Sequence, residues 1–322
     1  MKKTILLLSV FTLLLLASSV TQAVPLLGPA TDYNVFVFDS IDVDHSDSHG
    51  RVAAGGDIHM DNYSVGGGAY SSDYNVVSGG NVYYGPGTIS NGGVYAGGNL
   101  ELTNYTVNGD VTAKGTISYF NGGTVTGTAT PGASVSGPVD FVAAKSHLIG
   151  ASSQLAGMKV NGITDVQYNT NLHFTGTEAV NIFSLTYDDF KYVTNITFHI
   201  GDNVAIINIS GIDYFPKLGI NGVAGNDEHI LWNFHEATAL DLNGTIRGSI
   251  LAPNAAVDFN DGNLWGTIVA DSLTGTEEFH YPPFDHDFEP DVTPVPEPGT
   301  LLLYGSGILG LLYVRRTKTF NR

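Results

Sequence analysis

Residues 51–65 read Arg51-Val-Ala-Ala-Gly-Gly-Asp-Ile-His-Met-Asp-Asn-Tyr-Ser-Val65, and the pattern returns as Gly93-Val-Tyr-Ala-Gly-Gly-Asn-Leu-Glu-Leu-Thr-Asn-Tyr-Thr-Val107. A shorter echo, Gly79-Gly80-Asn81-Val82, lies between them, so glycine pairs begin at 55, 79 and 97, in steps of 24 and 18. Further on, Ile246-Arg-Gly-Ser-Ile-Leu-Ala252 returns after 18 residues as Leu264-Trp-Gly-Thr-Ile-Val-Ala270. Within each copy apolar and polar residues alternate over a few positions only, the periodicity of a short, half-buried strand. Gly and Asn at the breaks supply left-handed backbone angles at little steric cost. One such coil cannot bury its own apolar row, whereas a stack of coils makes that row continuous. The expected fold is therefore mostly β, a solenoid of stacked coils.

One segment departs from this pattern. Pro138 to Met158 places Phe141, Ala144, Leu148, Leu155 and Met158 at three- and four-residue steps, which predicts an amphipathic helix over about 138–158, packed along the flank of the coils. Beyond it, residues 195–200, 204–209 and 229–234 read as strands.

The ends carry a different signal. Lys2 and Lys3 precede an apolar run from Ile5 to Leu16 and a small-residue stretch ending at Ala23, the layout of a secretory signal peptide over residues 1–23. Cleavage after Ala23 is expected, with Ser19 as the alternative. The apolar run spans about 18 Å as a helix, short of the roughly 30 Å of a hydrocarbon core. At the other end, a Pro-rich linker over 289–298 contains Val295-Pro296-Glu297-Pro298. A 15-residue uncharged run, Thr300 to Val314, follows, and then Arg315, Arg316, Lys318 and Arg322, a basic tail of the kind that stays cytoplasmic. The motif, the short span and the basic tail over 299–322 together resemble the PEP-CTERM sorting signal of Gram-negative bacteria. That resemblance implies an exosortase and the secretion machinery as partners, with the span holding the chain at the inner membrane transiently.

With both ends removed, seven Lys and Arg stand against 31 Asp and Glu, a formal charge of −24. Such a body has no basic surface for nucleic acid, so nucleic-acid binding is excluded, and membrane contact is expected only through the C-terminal segment. The chain has no cysteine, which rules out disulfides and thiol chemistry and leaves packing and backbone pairing to hold the fold.

Candidate chemistry is sparse. Asp42, Asp44 and Asp47, interleaved with His45 and His49, form a loop that could offer oxygen ligands to Ca²⁺, although the EF-hand spacing fails; Asp57 and Asp61 are the residues that could complete it. The adjacent acids Asp188-Asp189 and Glu277-Glu278 would point to opposite faces of a strand and make poor acid/base pairs. Arg51 and Arg247 are the only basic residues placed to lie over a sugar, and both fall inside the repeats. No serine-nucleophile elbow, zinc-protease helix or phosphate loop occurs, so no catalytic residue is assigned and no enzyme is expected. Alternating Thr124, Thr126, Thr128 and Thr130 would give one strand face a hydroxyl row. Tyr63, Tyr70, Tyr74, Tyr83, Tyr84, Tyr95, Tyr105 and Tyr119 would either stack on sugars or pack between coils. Asn62, Asn104, Asn195, Asn208 and Asn243 open Asn-x-Ser/Thr triplets read as turn and ladder residues.

Five stretches, Tyr33-Asn-Val-Phe-Val-Phe38, Asp47-Ser-His-Gly-Arg-Val-Ala-Ala-Gly-Gly56, Val139-Asp-Phe-Val-Ala143, Trp232-Asn-Phe234 and Leu251-Ala-Pro-Asn-Ala-Ala256, resemble the choice-of-anchor A family of bacterial surface domains. The resemblance covers roughly 31–285. It implies an irregular right-handed β-helix, similar to ice-binding domains and adhesin modules, over 24–288. It also implies an adhesin or matrix component of the cell surface or biofilm, binding extracellular polysaccharide or other surface proteins. A polysaccharide-modifying enzyme on a β-helix and an ice- or water-ordering module are the alternatives.

Overall fold

The computed structural model describes residues 25–68, 71–211, 219–221, 227–282, 284 and 286. Both terminal signals, including Ala23, Val295, Pro296, Glu297, Pro298, Arg315 and Arg316, lie outside those residues, as does Tyr70. The repeats fold as expected, into coils whose strands pair in parallel with their equivalents one coil away. On the first face, Val52–Ala54 pairs with Tyr74–Ser78, which pairs with Gly93–Ala96, then with Val111–Ala113 and Ala129–Thr130. The steps of 24 and 18 seen in the glycines are these pairings: Ala54 faces Ser78, and Ser78 faces Ala96.

The chain begins in the middle of its own stack. Strand Val35–Val37 pairs on one side with Val52–Ala54 and on the other with Ile268–Gly275, near the end of the described chain. From there the stack continues downward through Ser249–Trp265, Ile230–Phe234 and Val204–Ser210 to Val180–Thr186. So the chain climbs from the middle to one end, crosses to the other by the helix, and then builds back until its last coil meets its first. The solenoid is thereby continuous across the helix. The seam is tightly bonded: the Asn34 side chain donates to the carbonyls of Gly266 (2.7 Å) and His280 (2.9 Å), and Thr267 Oγ1 donates to the Tyr33 carbonyl (2.7 Å).

Strands of the first face are buried on both sides, and this explains their nearly continuous apolar runs. Val35, Val37, Val52, Ala54 and Val76 point into the lumen. Phe36, Ala53, Val77, Leu231, Leu251 and Val269 point outward, under the helix and the N-terminal segment. The helix runs Phe141–Ala156, three residues later than the sequence suggests at its start, because Asp140 stays extended and its Oδ1 accepts from the Ala143 amide (3.0 Å). Ala144, Leu148, Ala151, Ser152 and Leu155 are its buried stripe. A buried amide chain fixes its second half: Ser152 Oγ donates to Asn233 (2.6 Å), Asn233 Nδ2 to Asn208 (2.7 Å), and Asn208 Nδ2 to the Leu155 carbonyl (2.8 Å). Asn233→Ala leaves the buried Asn208 and Ser152 groups short of a partner, so equilibrium denaturation should show a loss of about 2–3 kcal/mol.

The corner between the second and third faces is made by His45, Asn62, Gly85, Asn104 and Asn121, all at positive φ. Each of the first four coils thus turns on one positive-φ residue and the fifth on three, Asn121, Gly122 and Gly123; the repeated Asn-Tyr dipeptide is that corner followed by a lumen tyrosine, Tyr63 or Tyr105. A separate four-stranded sheet (Ile163–Gln167, Asn171–Thr175, Asn195–His199, Gly219–Asn221) opens with an antiparallel pair, the one departure from parallel coiling among the described residues.

Candidate functional site

On the second face, strands Ile41–Asp44, Ile58–Asp61, Val82–Tyr84 and Leu100–Val107 turn alternate residues to solvent. Register pairing lines up Asp258, Thr274, Asp42, His59, Tyr83, Glu101 and Ser118 as one outward column. At its centre the His59 and Tyr83 rings stack at 4.3 Å between centroids, 28° apart. Asp42, Asp61, Glu101 and Thr103 surround them, lining a shallow groove of about 220 Å³. An aromatic platform ringed by acceptors is chemistry suited to a polyhydroxylated ligand, with apolar C–H faces to cover and hydroxyl donors to bind.

On the third face the pairings line up Asn263, Glu278, Asp47, Ser64, Thr88, Thr106 and Thr124. This is a hydroxyl column, but it runs across coils. The row expected along Thr124, Thr126, Thr128 and Thr130 does not form, because Ile117–Val125 ends before a corner at Gly127 and Ala129–Thr130 lies on the next face. Coil-to-coil register is the signal that would have found the true column.

The tyrosines divide between buried and exposed positions. Tyr63, Tyr84 and Tyr105 are buried in the lumen, Tyr95 is buried on the outer side of the first face, Tyr83 is half-buried in the groove, and Tyr119 is exposed. Burial pushes the Tyr84 hydroxyl above its ordinary range, and that hydroxyl donates to the Tyr63 carbonyl (2.9 Å). Asn62 and Asn104 are the corner residues already described; Asn208 belongs to the buried amide chain, and Asn195 donates to Asn171 one coil away (3.3 Å).

Asp42, Asp44 and Asp47 are not brought to one point. Asp42 lies in the groove, Asp44 sits beside His45 (3.2 Å), and Asp47 has turned the corner onto the third face. Asp57 accepts from the Asn81 amide (2.7 Å), one rung of an Asx ladder that continues from Asn81 to Asn99 and from Asn99 to Thr116. Asp189 accepts from the Thr186 amide (3.0 Å) and Asp188 pairs with Lys191 (2.7 Å). Arg51 donates to Tyr33 and to the Tyr74 carbonyl, and Arg247 binds Asp227 (2.8 Å) and lies over Trp265. Glu277 and Glu278 do face opposite ways, Glu277 fully buried and Glu278 half-exposed.

Glu278 meets residues that the sequence keeps far apart. His49 Nε2 and His280 Nδ1 each lie 3.5 Å from Glu278 Oε1, and Asp47 Oδ1 lies 3.6 Å from His49 Nε2. Burial lowers the His280 pKa and, with Glu278 adding its charge, raises that of Asp47. A cavity of about 240 Å³ lined by Asp47, His49, Ser64 and Gly68 opens beside them. Sequence singles out Asp47 and His49 as one loop and Glu278 only as half of an acid pair; the pairing of first coil with last brings these together and adds His280, which sequence missed.

A family profile described as "Putative Ice-binding-like adhesive domain" matches residues 26–281, and one for the PEP-CTERM protein-sorting motif matches 294–316. No curated protein matches the chain. The crystal structure of an ice-binding protein from an Antarctic ascomycete, Antarctomyces psychrotrophicus, aligns over 79% of this chain and 95% of that one, at 10% identity and a TM-score of 0.27, too low to carry an argument. Among the described residues no helix is long and apolar enough to cross a membrane, and the 300–314 run lies outside them.

Proposed function

The chain belongs to the ice-binding-like adhesive domain family and carries a PEP-CTERM sorting motif, which makes it an exported surface protein, and from that premise we propose that it is a non-catalytic polysaccharide adhesin of the outer surface or matrix of a Gram-negative bacterium. In this reading the signal peptide is removed after Ala23 and an exosortase processes the tail near Val295–Pro298. The 300–314 run holds the chain only until then, consistent with a length of about 22 Å. The observation that carries the binding role is the acid-ringed His59–Tyr83 groove. A neutral, hydroxyl-rich polysaccharide suits it, because a body of charge −24 repels polyanions. Repeated weak contacts along a stiff array of coils add up to useful avidity. Absence of catalysis is supported by the engagement of Arg51 and Arg247 in structural contacts, Arg51 with the Tyr74 carbonyl and Arg247 with Asp227.

A glycan array probed with the secreted chain, run beside a reducing-sugar release assay, tests this. Binding without release is expected, and Tyr83→Ala with His59→Ala should weaken it at least about tenfold by removing the stacking platform. Turnover abolished by a single carboxylate substitution would overturn the adhesin reading. A second reading, water ordering, is favoured by the Ser64–Thr88–Thr106–Thr124 column. It is the thinner of the two, being one column wide, and thermal hysteresis lost on Thr106→Val would promote it.

A further inference from the structure

We propose that Asp47, His49, Glu278 and His280 form a transition-metal site of the zinc type that staples the first coil of the solenoid to the last. Two imidazoles and a carboxylate, with a second carboxylate in reach, are borderline ligands that suit Zn²⁺ and its neighbours, whereas Ca²⁺ takes six to eight oxygens. The spacing agrees. Four ligands held tetrahedrally at zinc bond lengths stand about 3.4 Å from one another. Here the contacts through Glu278 Oε1 are both 3.5 Å, Asp47 to His49 is 3.6 Å, and the ligand atoms of His49, Glu278 and His280 all lie within 4.8 Å of one another.

Those distances are too long for hydrogen bonds. Indeed Asp47 Oδ1 and His280 Nδ1 are both buried atoms with no hydrogen-bond partner among the described residues. His280 is also oriented as a ligand would be. Its Nε2 stands 3.3 Å from Asn263 Oδ1, so the proton there leaves the Nδ1 lone pair turned to the cluster, an outer-shell arrangement typical of metal-bound histidine. Trp265 stacks on the same ring at 4.1 Å and fixes its plane. The positive charge nearby, Arg247, is neutralised by Asp227. Without a cation, two carboxylates are crowded into one half-buried site; a dication relieves that repulsion.

Location gives the site its consequence. Asp47 and His49 belong to the first coil, Glu278 and His280 to the last, and the strands bearing them share a single paired position, Phe279 with Ser48. An unfolded chain does not hold these four groups together, so the metal binds the folded state and stabilises it by mass action. The site is independent of the second-face groove, and its test does not depend on any glycan.

The exported chain, stripped with chelator and dialysed, is titrated with ZnCl₂ by calorimetry and with CoCl₂ by visible absorption. We expect one Zn²⁺ per chain, tighter than about 10 µM. The folded-to-unfolded ratio should rise about 100-fold when free Zn²⁺ is 100 times Kd. The cobalt form should show the intense d–d bands of low coordination number. His49→Gln, at a half-exposed position where folding is not at stake, should abolish both signals, as should Glu278→Gln. Asn263→Ala should weaken binding about tenfold or more through loss of the outer-shell contact. His173→Ala, on the separate four-stranded sheet, should leave Zn²⁺ binding unchanged. Absence of a 1:1 Zn²⁺ complex in the folded parent chain, or binding that survives both His49→Gln and Glu278→Gln, overturns the proposal; so does preference for Ca²⁺ over Zn²⁺ at these residues.

Discussion

Gly79→Val should destabilise the protein by about 3–5 kcal/mol, a large share of the roughly 5–15 kcal/mol that holds an ordinary domain together. The first-face corner is a column of glycines stacked backbone on backbone. A Cβ at Gly79 would stand 2.2 Å from the Gly55 carbonyl oxygen, one at Gly97 would stand 2.2 Å from that of Gly79, and one at Gly55 would stand 2.3 Å from that of Phe38. None of these carbonyls can retreat, since each corner is bonded to its neighbour: the Gly79 amide donates to Ala54 and the Gly97 amide to Ser78, both at 2.8 Å. A side chain there must push adjacent coils apart, and the Asx ladder through Asp57, Asn81 and Asn99 would be pulled open with them. Gly67 is the matched control, because nothing lies within 4 Å of its Cβ position; Gly67→Ala should stay within about 0.5 kcal/mol. Urea titrations of the pair measure the difference. A Gly79→Val chain as stable as the parent would mean that the coils do not stack this closely.

That glycine column is also the feature of the fold most legible in sequence. Steps of 24 and 18 between glycine pairs are coil lengths, and they mattered because a close backbone approach tolerates only glycine, whatever else drifts. The helix was legible for an equally local reason, a stripe of Ala144, Leu148 and Leu155 at helical spacing. What could not be read was the order of coils along the stack. Alternation tells which residues of a strand face inward, but it is the same for every coil and names no neighbour. Whether Val35–Val37 lies at an end or between Val52–Ala54 and Ile268–Gly275 is decided by long-range packing, by Asn34, Thr267 and the Phe36 contacts under the helix. The candidate sites inherit that blindness. Asp47 and His49 stand out as an acidic, histidine-bearing loop, yet their partners Glu278 and His280 become neighbours only at the seam. Likewise His59 and Tyr83 look unremarkable until a 24-residue register puts one ring on the other.

Glu277 should make the protein less stable as pH rises from the acid range. The residue is fully buried, neither carboxyl oxygen has a hydrogen-bond partner among the described residues, and burial pushes its pKa from 4.5 up to about 8, with the charges of Asp258 and Asp44 adding to the shift. Below the unfolded value both states carry the proton, and the acid imposes no charge penalty. Between pH 4.5 and about 8 the unfolded chain has lost its proton while the folded chain keeps it, so stability falls as pH rises through that window and levels off above it. At about 1.4 kcal/mol per unit the accumulated loss is of the order of 5 kcal/mol. Glu277→Gln keeps the shape and removes the ionisation. The variant should therefore match the parent near pH 4.5 and exceed it by several kcal/mol at about pH 8.5, with chelator present so that no cation contributes. The comparison is made as a difference between the two chains because a body with 31 acids loses stability with rising pH through general repulsion as well, equally in both. If the two denaturation curves stay superimposed across that whole range, Glu277 ionises in the folded chain as freely as in the unfolded one, and its burial against the lumen cannot be as complete as the coil packing requires.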